Sequence, residues 1–466
     1  MTHTESTQSA RSPGPTARWL AGALRPFAQV EPDEAISAAL LTLAVFLLLL
    51  AYYLLKTARE PLILLHGGAE VKAYASAGQS LLLLLVIPAY AALAQRVGRL
   101  RLLFCVYGFF AFNLLLFAGA LTREATIGVA FYLWVGVFNN TAIAQLWSFA
   151  NDIYTPEQGQ RLFAILGIGS SLGAVGGSFV AKRLASLGPL WMLLLAAAIL
   201  CVCAVLVLLV HRRERAARDR NLAQVPADRP PLDGPVLQML LHDKYLLWIA
   251  LATFLLNCVN SSGEYLLDRT LLQVLATDGV AGKAATLEVT RFKADYFWWV
   301  NVIGVLLQLF AVSRVLKLLT VRKALFVLPA VAFLSYGVMF AAPALALIRL
   351  GKIAENSLDY SLQNTARQAL FLVGTRAEKY LGKTTIDTLV VRLGDVFAAV
   401  LIFSSGRMGL HVRAFALVIL VLIACWLVVL AMLGREHQKR SHTPDTDHRA
   451  ASALPDDGPE AARSVS

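Results

Sequence analysis

Charge is what this sequence has least of. Asp, Glu, Lys and Arg make up 15% of its 466 residues while 58% are hydrophobic, and a soluble domain carries about 25% charged residues. With a mean hydropathy of +0.63, a chain this long cannot bury its apolar surface by folding in water, so the bilayer is its solvent. Acidic residues are the scarcer sign, 30 against 42 basic, which leaves a net charge of +12. That excess does not indicate nucleic acid, because no basic stretch is interleaved with aromatics. The five cysteines, Cys105, Cys201, Cys203, Cys258 and Cys425, sit in apolar stretches. They read as small core hydrophobes, with no metal ligands and no redox pair. No apolar stretch holds a metal-binding His pair or a serine beside a base, so no catalytic residues and no cofactor are expected. A Gly-x-x-x-x-Gly-Lys-Ser/Thr loop is missing too, which excludes movement driven by ATP hydrolysis. The polar start lacks the short apolar core and cleavage site of a signal peptide.

What is present is a series of apolar runs, each near the ~20 residues that cross a ~30 Å hydrocarbon core. They predict an all-α membrane protein with spans at 36–57, 78–95, 100–121, 126–149, 163–182, 189–210, 244–267, 295–313, 322–341, 346–372, 384–405 and 412–433. The polar segments 1–33 and 434–466 are expected to be disordered tails. The long loop 211–243 combines a basic run with a Pro-rich stretch, Pro226 to Pro235, and divides the spans into six-helix bundles over 34–210 and 244–433. Arg96, Arg99 and Arg101, then Arg212, Arg213, Arg215, Arg218 and Arg220, then Arg314, Lys317, Arg322 and Lys323, then Arg376, Lys379 and Lys383 fall on one side. The positive-inside rule makes that side cytoplasmic, and an even span count places both termini there. The expected setting is a bacterial inner membrane. Basic loops after the second span of each half, Gln95 to Arg101 and Ser313 to Lys323, are what a duplication would leave. The first resembles the basic loop of the major facilitator superfamily, without its usual aspartate.

Charges at membrane depth are costly unless paired or facing water, so they mark function. At the end of span one come Lys56, Arg59, Glu60 and Pro61. Lys56 and Glu60 are four apart and can meet on one helix face, while Arg59 lies off that pair and could serve as an anion ligand. Span seven carries Asn257, Asn260, Ser261, Glu264 and Asp268 at steps of three and four, and Glu264 needs a proton or a partner, Arg269 or a basic group from span one. Span ten carries Arg349, Lys352, Glu355, Asn356, Asp359, Gln363, Asn364 and Arg367. Glu355 and Asp359 repel when both are ionised, so they form either a coupling site or a static network with Lys352 and Arg349. Span four offers the neutral groups Asn139, Asn140, Gln145, Trp147 and Asn151, and span eleven Asp387, Arg392 and Asp395. Span five carries Gly169, Gly173 and Gly177 at four-residue spacing, a face that another helix can approach closely and slide along. Polar stripes on spans one, four, seven and ten are the pattern of helices lining a central cavity.

Several of these segments resemble the bacterial and plastid ATP/ADP translocases, the non-mitochondrial nucleotide transporters, over most of Leu41 to Phe403. Tyr52 to Leu64 is similar to that family's first-span segment, and Arg59 falls where the family has a functional lysine. Trp147 to Asn151, with Glu157, Arg161 and Phe163, is similar to its fourth-span exit. Glu264 matches its seventh-span acidic residue. Tyr360 to Leu362, leading through Lys379, Lys383 and Asp387 to Arg392, Leu393 and Gly394, resembles its Tyr-Ser-Leu run and the helix that follows. Two departures bear on cargo: Asp395 stands where the family has a lysine, and span four lacks the family's glutamate. A triphosphate favours guanidinium and ammonium ligands, so losing a cation and gaining an anion at Asp395 counts against ATP.

The resemblance implies a major-facilitator-like secondary transporter that moves an organic anion, with a nucleotide among the candidates, by alternating access. Lys56, Arg59, Asn140, Asn260, Arg349, Lys352 and Asn356 are the expected solute ligands. Glu60, Glu264, Glu355, Asp359, Asp387, Arg392 and Asp395 form the expected charge network. The alternative is a non-transporting scaffold or partner-binding subunit, which would not need charges on so many spans. The partners implied are a small-molecule solute and the lipid bilayer.

Overall fold

The structure is a computed structural model that describes residues 15–24, 30–123, 125–218, 243–371 and 382–442. Among the described residues every regular element is helical. The linker positions 219–242, with Arg220, and the loop residues Arg376 and Lys379 lie outside the described residues.

The chain enters its first long helix at Pro32, with Pro at the helix start and Asp33 and Glu34 in the first turn. Proline's missing N–H costs nothing there, and carboxylates suit the positive helix end. This helix runs from Pro32 to Arg96, 65 residues, or roughly 100 Å at ~1.5 Å per residue, three times a hydrocarbon core. It is two spans joined at Gly68, whose φ of 78° only glycine adopts without strain. Span one therefore continues to residue 67, and span two begins at 69. This corrects the sequence reading, which ended span one at 57 and began span two at 78. A second break, at Thr320 with φ 62°, separates span eight from span nine. Span eight begins at Gly282, not 295, and passes through a π turn at Leu307–Ala311. Around the Gly68 turn the polar residues Glu60 and Lys72 are buried by neighbouring helices, whereas Lys283, Glu288 and Arg291 in the first turns of span eight are exposed.

Among the described residues, eight helices are long and apolar enough by themselves to cross a membrane. Dividing the first at Gly68, and counting Val327–Ala341, the span through Leu345–Leu358 and the span through Val391–Arg407, gives twelve. Spans ten and eleven contain π turns at Asp359–Gln363 and Ile386–Val390. Helix also extends into both expected tails: Pro15–Leu24 forms a short helix against span one, and span twelve runs to His442.

Span one is the pillar of the first six helices. Gly169, Gly173 and Gly177 of span five lie against it so closely that a Cβ on Gly173 would stand 2.3 Å from the carbonyl oxygen of Phe46, and one on Gly177 2.6 Å from that of Leu50. On another side of span one, Cys203 of span six donates to the carbonyl of Ala44 at 3.6 Å. In the last six helices, span seven packs on spans eleven and twelve. Asp243 caps its start by accepting from the backbone N–H of Tyr245 and holds Arg440 of span twelve at 2.6 Å. The two sets of six meet where span two packs on span eleven and span five on span eight.

Candidate solute-binding site

A cavity of about 300 Å³ lies at that junction, lined from both sets of helices. Spans one, seven and ten contribute Lys56, Arg59, Asn260, Glu264 and Asn356, and span eleven adds Arg392 and Asp395. Lys56 is held by aromatic faces, its ammonium 4.4 Å from the ring of Phe297 and 5.2 Å from that of Tyr53. Among the described residues no carboxylate lies within 4.0 Å of it. The Arg59 guanidinium stacks 4.3 Å over Tyr132 of span four, while its Nε donates to Glu60 at 3.3 Å. Cation–π contact holds these side chains without neutralising them, which leaves N–H groups for a bound anion.

One wall of the cavity is a charge cluster made by four helices. Glu60 of span one accepts from Lys72 of span two at 2.5 Å, and Lys72 also donates to Asp268 of span seven at 2.6 Å. Lys293 of span eight lies 3.4 Å from Glu60, pairs closely with Asp268 and stands 3.9 Å from Glu264. Glu60, Asp268 and Lys293 are each at most 1% exposed. Two cations and two carboxylates at this depth stay ionised only by satisfying one another. Glu264 is placed differently: it accepts from Tyr296 at 2.7 Å and from Asn356 at 3.0 Å, and faces the cavity. Asp395 accepts from Ser261 of span seven at 2.8 Å and from Ser80 of span two at 3.0 Å, with Arg392 at 3.7 Å.

Several expected pairings are corrected. Glu60 pairs with Arg59, Lys72 and Lys293 instead of Lys56, because the tight turn at Gly68 brings span two back alongside. The cation nearest Glu264 is Lys293, whereas Arg269 donates to the Tyr265 hydroxyl and the Leu410 carbonyl. Lys352 is fully buried behind the cavity wall, donating to Asn260 at 2.9 Å and Glu355 at 3.1 Å. Arg349 does not join that pair; it binds Asp295 in a separate cleft. Glu355 and Asp359 border a small void of about 20 Å³ next to the cavity, shared with Asn260 and Asn356. Asn140 stands behind the cavity, its side-chain oxygen 3.4 Å from Arg392. Asp387 pairs with Arg367 at 3.5 Å, away from the cavity lining. Sequence reasoning missed Lys72 and Lys293 altogether. The signal for them was a surplus of carboxylates, since Glu60 and Asp268 within spans require cations of their own.

Among the described residues, a group of bonds joins the two sets of helices between the cavity and the end bearing the Gly68 turn. Besides the charge cluster they include Tyr265 to Glu70 at 2.8 Å and Tyr53 to Asn301 at 2.9 Å, together with a Lys182–Asp295 ion pair. That end is closed, and the cavity lies below the closure.

Residues 36–375 match the family model of the Major Facilitator Superfamily. The chain belongs to that superfamily. As a major facilitator it is an integral membrane secondary transporter. Among its relatives, ADP,ATP carrier protein 1 of Chlamydia pneumoniae is 22% identical over 353 residues, covering 68% of each chain. The protein of that name from Chlamydia trachomatis is 21% identical over 391 residues, 73% of this chain and 72% of that one. A bacterial homologue of the iron transporter ferroportin, solved in an inward-facing state, has a TM-score of 0.60 at 14% identity. The alignment covers 85% of this chain and 98% of that one. This major facilitator is thus a distant relative of bacterial ADP,ATP carriers with the fold of the solved transporters.

Proposed function

We propose that this major facilitator carries a small organic anion of one or two negative charges through the central cavity. The half at 34–210 and the half at 244–433, joined by 211–243, would rock against each other. The observation that carries the reading is that Lys56 and Arg59 reach the cavity on aromatic faces and keep free N–H groups. Four cations in the lining, Lys56, Arg59, Lys72 and Arg392, are balanced by four carboxylates, Glu60, Glu264, Asp268 and Asp395. A neutral lining suits a solute of low charge better than a triphosphate. Glu264 and Asp395, held by hydroxyl and amide donors, would take up a proton or a cationic part of the solute as the cavity opens. The setting consistent with the basic loops is a bacterial plasma membrane, with both termini in the cytoplasm.

A nucleotide is the second reading, favoured by similarity to ADP,ATP carriers and by the aromatic faces of Tyr132, Phe297 and Tyr360 on which a base could stack. Reconstituted vesicles separate the two. Labelled ADP, ATP, nucleoside monophosphates and small mono- and dicarboxylates would be offered to wild-type protein and to Arg59→Gln and Arg59→Lys variants. Losing a charged hydrogen bond predicts roughly a ten- to hundredfold fall in apparent affinity for Arg59→Gln, with partial recovery in Arg59→Lys. Uptake of no anion would sink the anion reading, and uptake indifferent to Arg59→Gln would place the anion's ligands elsewhere.

A further inference from the structure

A second cleft, about 640 Å³ in volume, opens sideways between spans five, eight and ten, near the Gly68-turn end of the molecule. Its chemistry differs from that of the central cavity. Lys182, Arg183, Arg291 and Arg349 line it against only Glu288 and Asp295, an excess of two positive charges. Asp295 is saturated: one carboxylate oxygen pairs with Lys182 of span five and the other with Arg349 of span ten. It acts as a template that holds two cations side by side. Arg183 has no carboxylate within 4.0 Å among the described residues and rests 5.1 Å over Phe179, while Arg349 lies 5.1 Å over Phe292 and Lys182 5.8 Å over Trp298. Arg291 pairs with Glu288 at 3.6 Å; cations gathered in this way by carboxylates and rings, with charge left over, form a receptor for a phosphate group.

What lies beside the cleft selects the source of that phosphate. From the cleft's own Phe179 onward, Leu172 on span five and Trp299 and Leu306 on span eight are exposed large hydrophobics. This is a lipid-facing flank that leads towards mid-membrane. A soluble anion would use the basic cleft and ignore this flank, whereas a phospholipid would use both.

We propose that this cleft binds the phosphodiester headgroup of an anionic phospholipid, with its acyl chains along the flank of spans five and eight. Spans five and eight come from opposite halves and are tied there by the Lys182–Asp295 pair. A lipid seated on both would therefore stabilise the form closed at this end.

The test is thermal stability and lipid retention of the purified full chain in detergent, titrated with phosphatidylglycerol, with phosphatidylcholine, or with inorganic phosphate. Phosphatidylglycerol should raise the unfolding temperature and be retained, and the other two should do so much less. Each cation near an anionic lipid contributes about fivefold in affinity, so an Arg183→Gln, Arg291→Gln double variant should bind phosphatidylglycerol roughly 25-fold more weakly. A double variant with Lys at both positions should restore binding, which distinguishes loss of charge from misfolding. Equal stabilisation by phosphatidylcholine would reduce the site to an ordinary lipid contact. A matching effect of inorganic phosphate would make it a soluble-anion site, and unchanged binding in the Gln variant would place the lipid elsewhere. Each of these three outcomes overturns the proposal.

Discussion

Glu60 is 1% exposed and has Arg59, Lys72 and Lys293 within 3.4 Å. In such a cluster the cost of a substitution depends on what it leaves unpaired more than on the bond it removes. Lys293→Met leaves Asp268 and Glu60 with one lysine between them, and should destabilise the protein by about 3–5 kcal/mol, the usual penalty for an uncompensated buried charge. Lys293→Met combined with Glu60→Gln removes one charge of each sign and should cost less than the sum of the two single changes. The coupling can be read as a double-mutant cycle of unfolding temperatures in detergent, and strict additivity would show that the four groups do not act as a unit. These residues also show how much of the site was legible. Arg59, Glu264, Asn260, Asn356, Arg392 and Asp395 could be picked out because each is polar inside a plainly apolar run, and each lines the cavity. Lys72 and Lys293 escaped because the segments around them, 66–77 and 282–294, are polar enough to read as loops. Arg349, Lys352 and Asp387 were polar inside runs as well, yet they face other groups. Helical periodicity gives a residue's face, but not which neighbour covers that face.

At the scale of elements, the glycines of span five were visible from spacing, and what they pack against was not. Gly169, Gly173 and Gly177 seat span five on Thr42, Phe46 and Leu50 of span one. This contact lies within the first six helices, not at the junction between halves. A Cβ at Gly173 would meet a backbone oxygen at 2.3 Å, which cannot swing aside. Gly173→Ala should therefore force the two helices apart and cost about 1–3 kcal/mol, as overpacking does, and Gly173→Leu should prevent assembly. Gly176→Ala, where the nearest atom is a ring carbon of Phe46 at 3.5 Å, is the control and should be close to neutral. Unfolding temperatures of the two alanine variants decide the matter, and equal effects would show that the face does not set the helix spacing. The break at Gly68 had no such signature. Nothing in an apolar run followed by a polar one tells that the helix turns back within a single residue, so the first two spans were placed correctly in number and too short in extent.

For the whole molecule, the charge cluster decides whether the closed end can open. Lys72 and Glu60 belong to the first six helices, and Lys293 and Asp268 to the last six. Drawing the two sets apart would divide four charges into two neutral ion pairs, one kept by each half. No lone buried charge would be exposed, so the closure can be tight and still reversible. Other contacts across it include hydrogen bonds that water can replace, Tyr265 with Glu70 and Ser80 with Asp395, the Lys182–Asp295 pair, whose separation leaves Asp295 with Arg349 in its own half, and the ring edges of Tyr74 and Phe403 with centroids 6.2 Å apart. The Tyr74 and Phe403 pair gives the means to test whether this end must open during transport. Cysteines placed at both positions, after replacing the exposed Cys105, Cys201 and Cys425 by serine, and joined by a short reducible bifunctional thiol reagent, should hold the end shut. Solute uptake should fall to background when the bridge forms and return on reduction, while solute binding from the opposite side persists. Full uptake by the cross-linked protein would mean that the cavity is reached from the Gly68-turn end by a path that leaves spans two and eleven together.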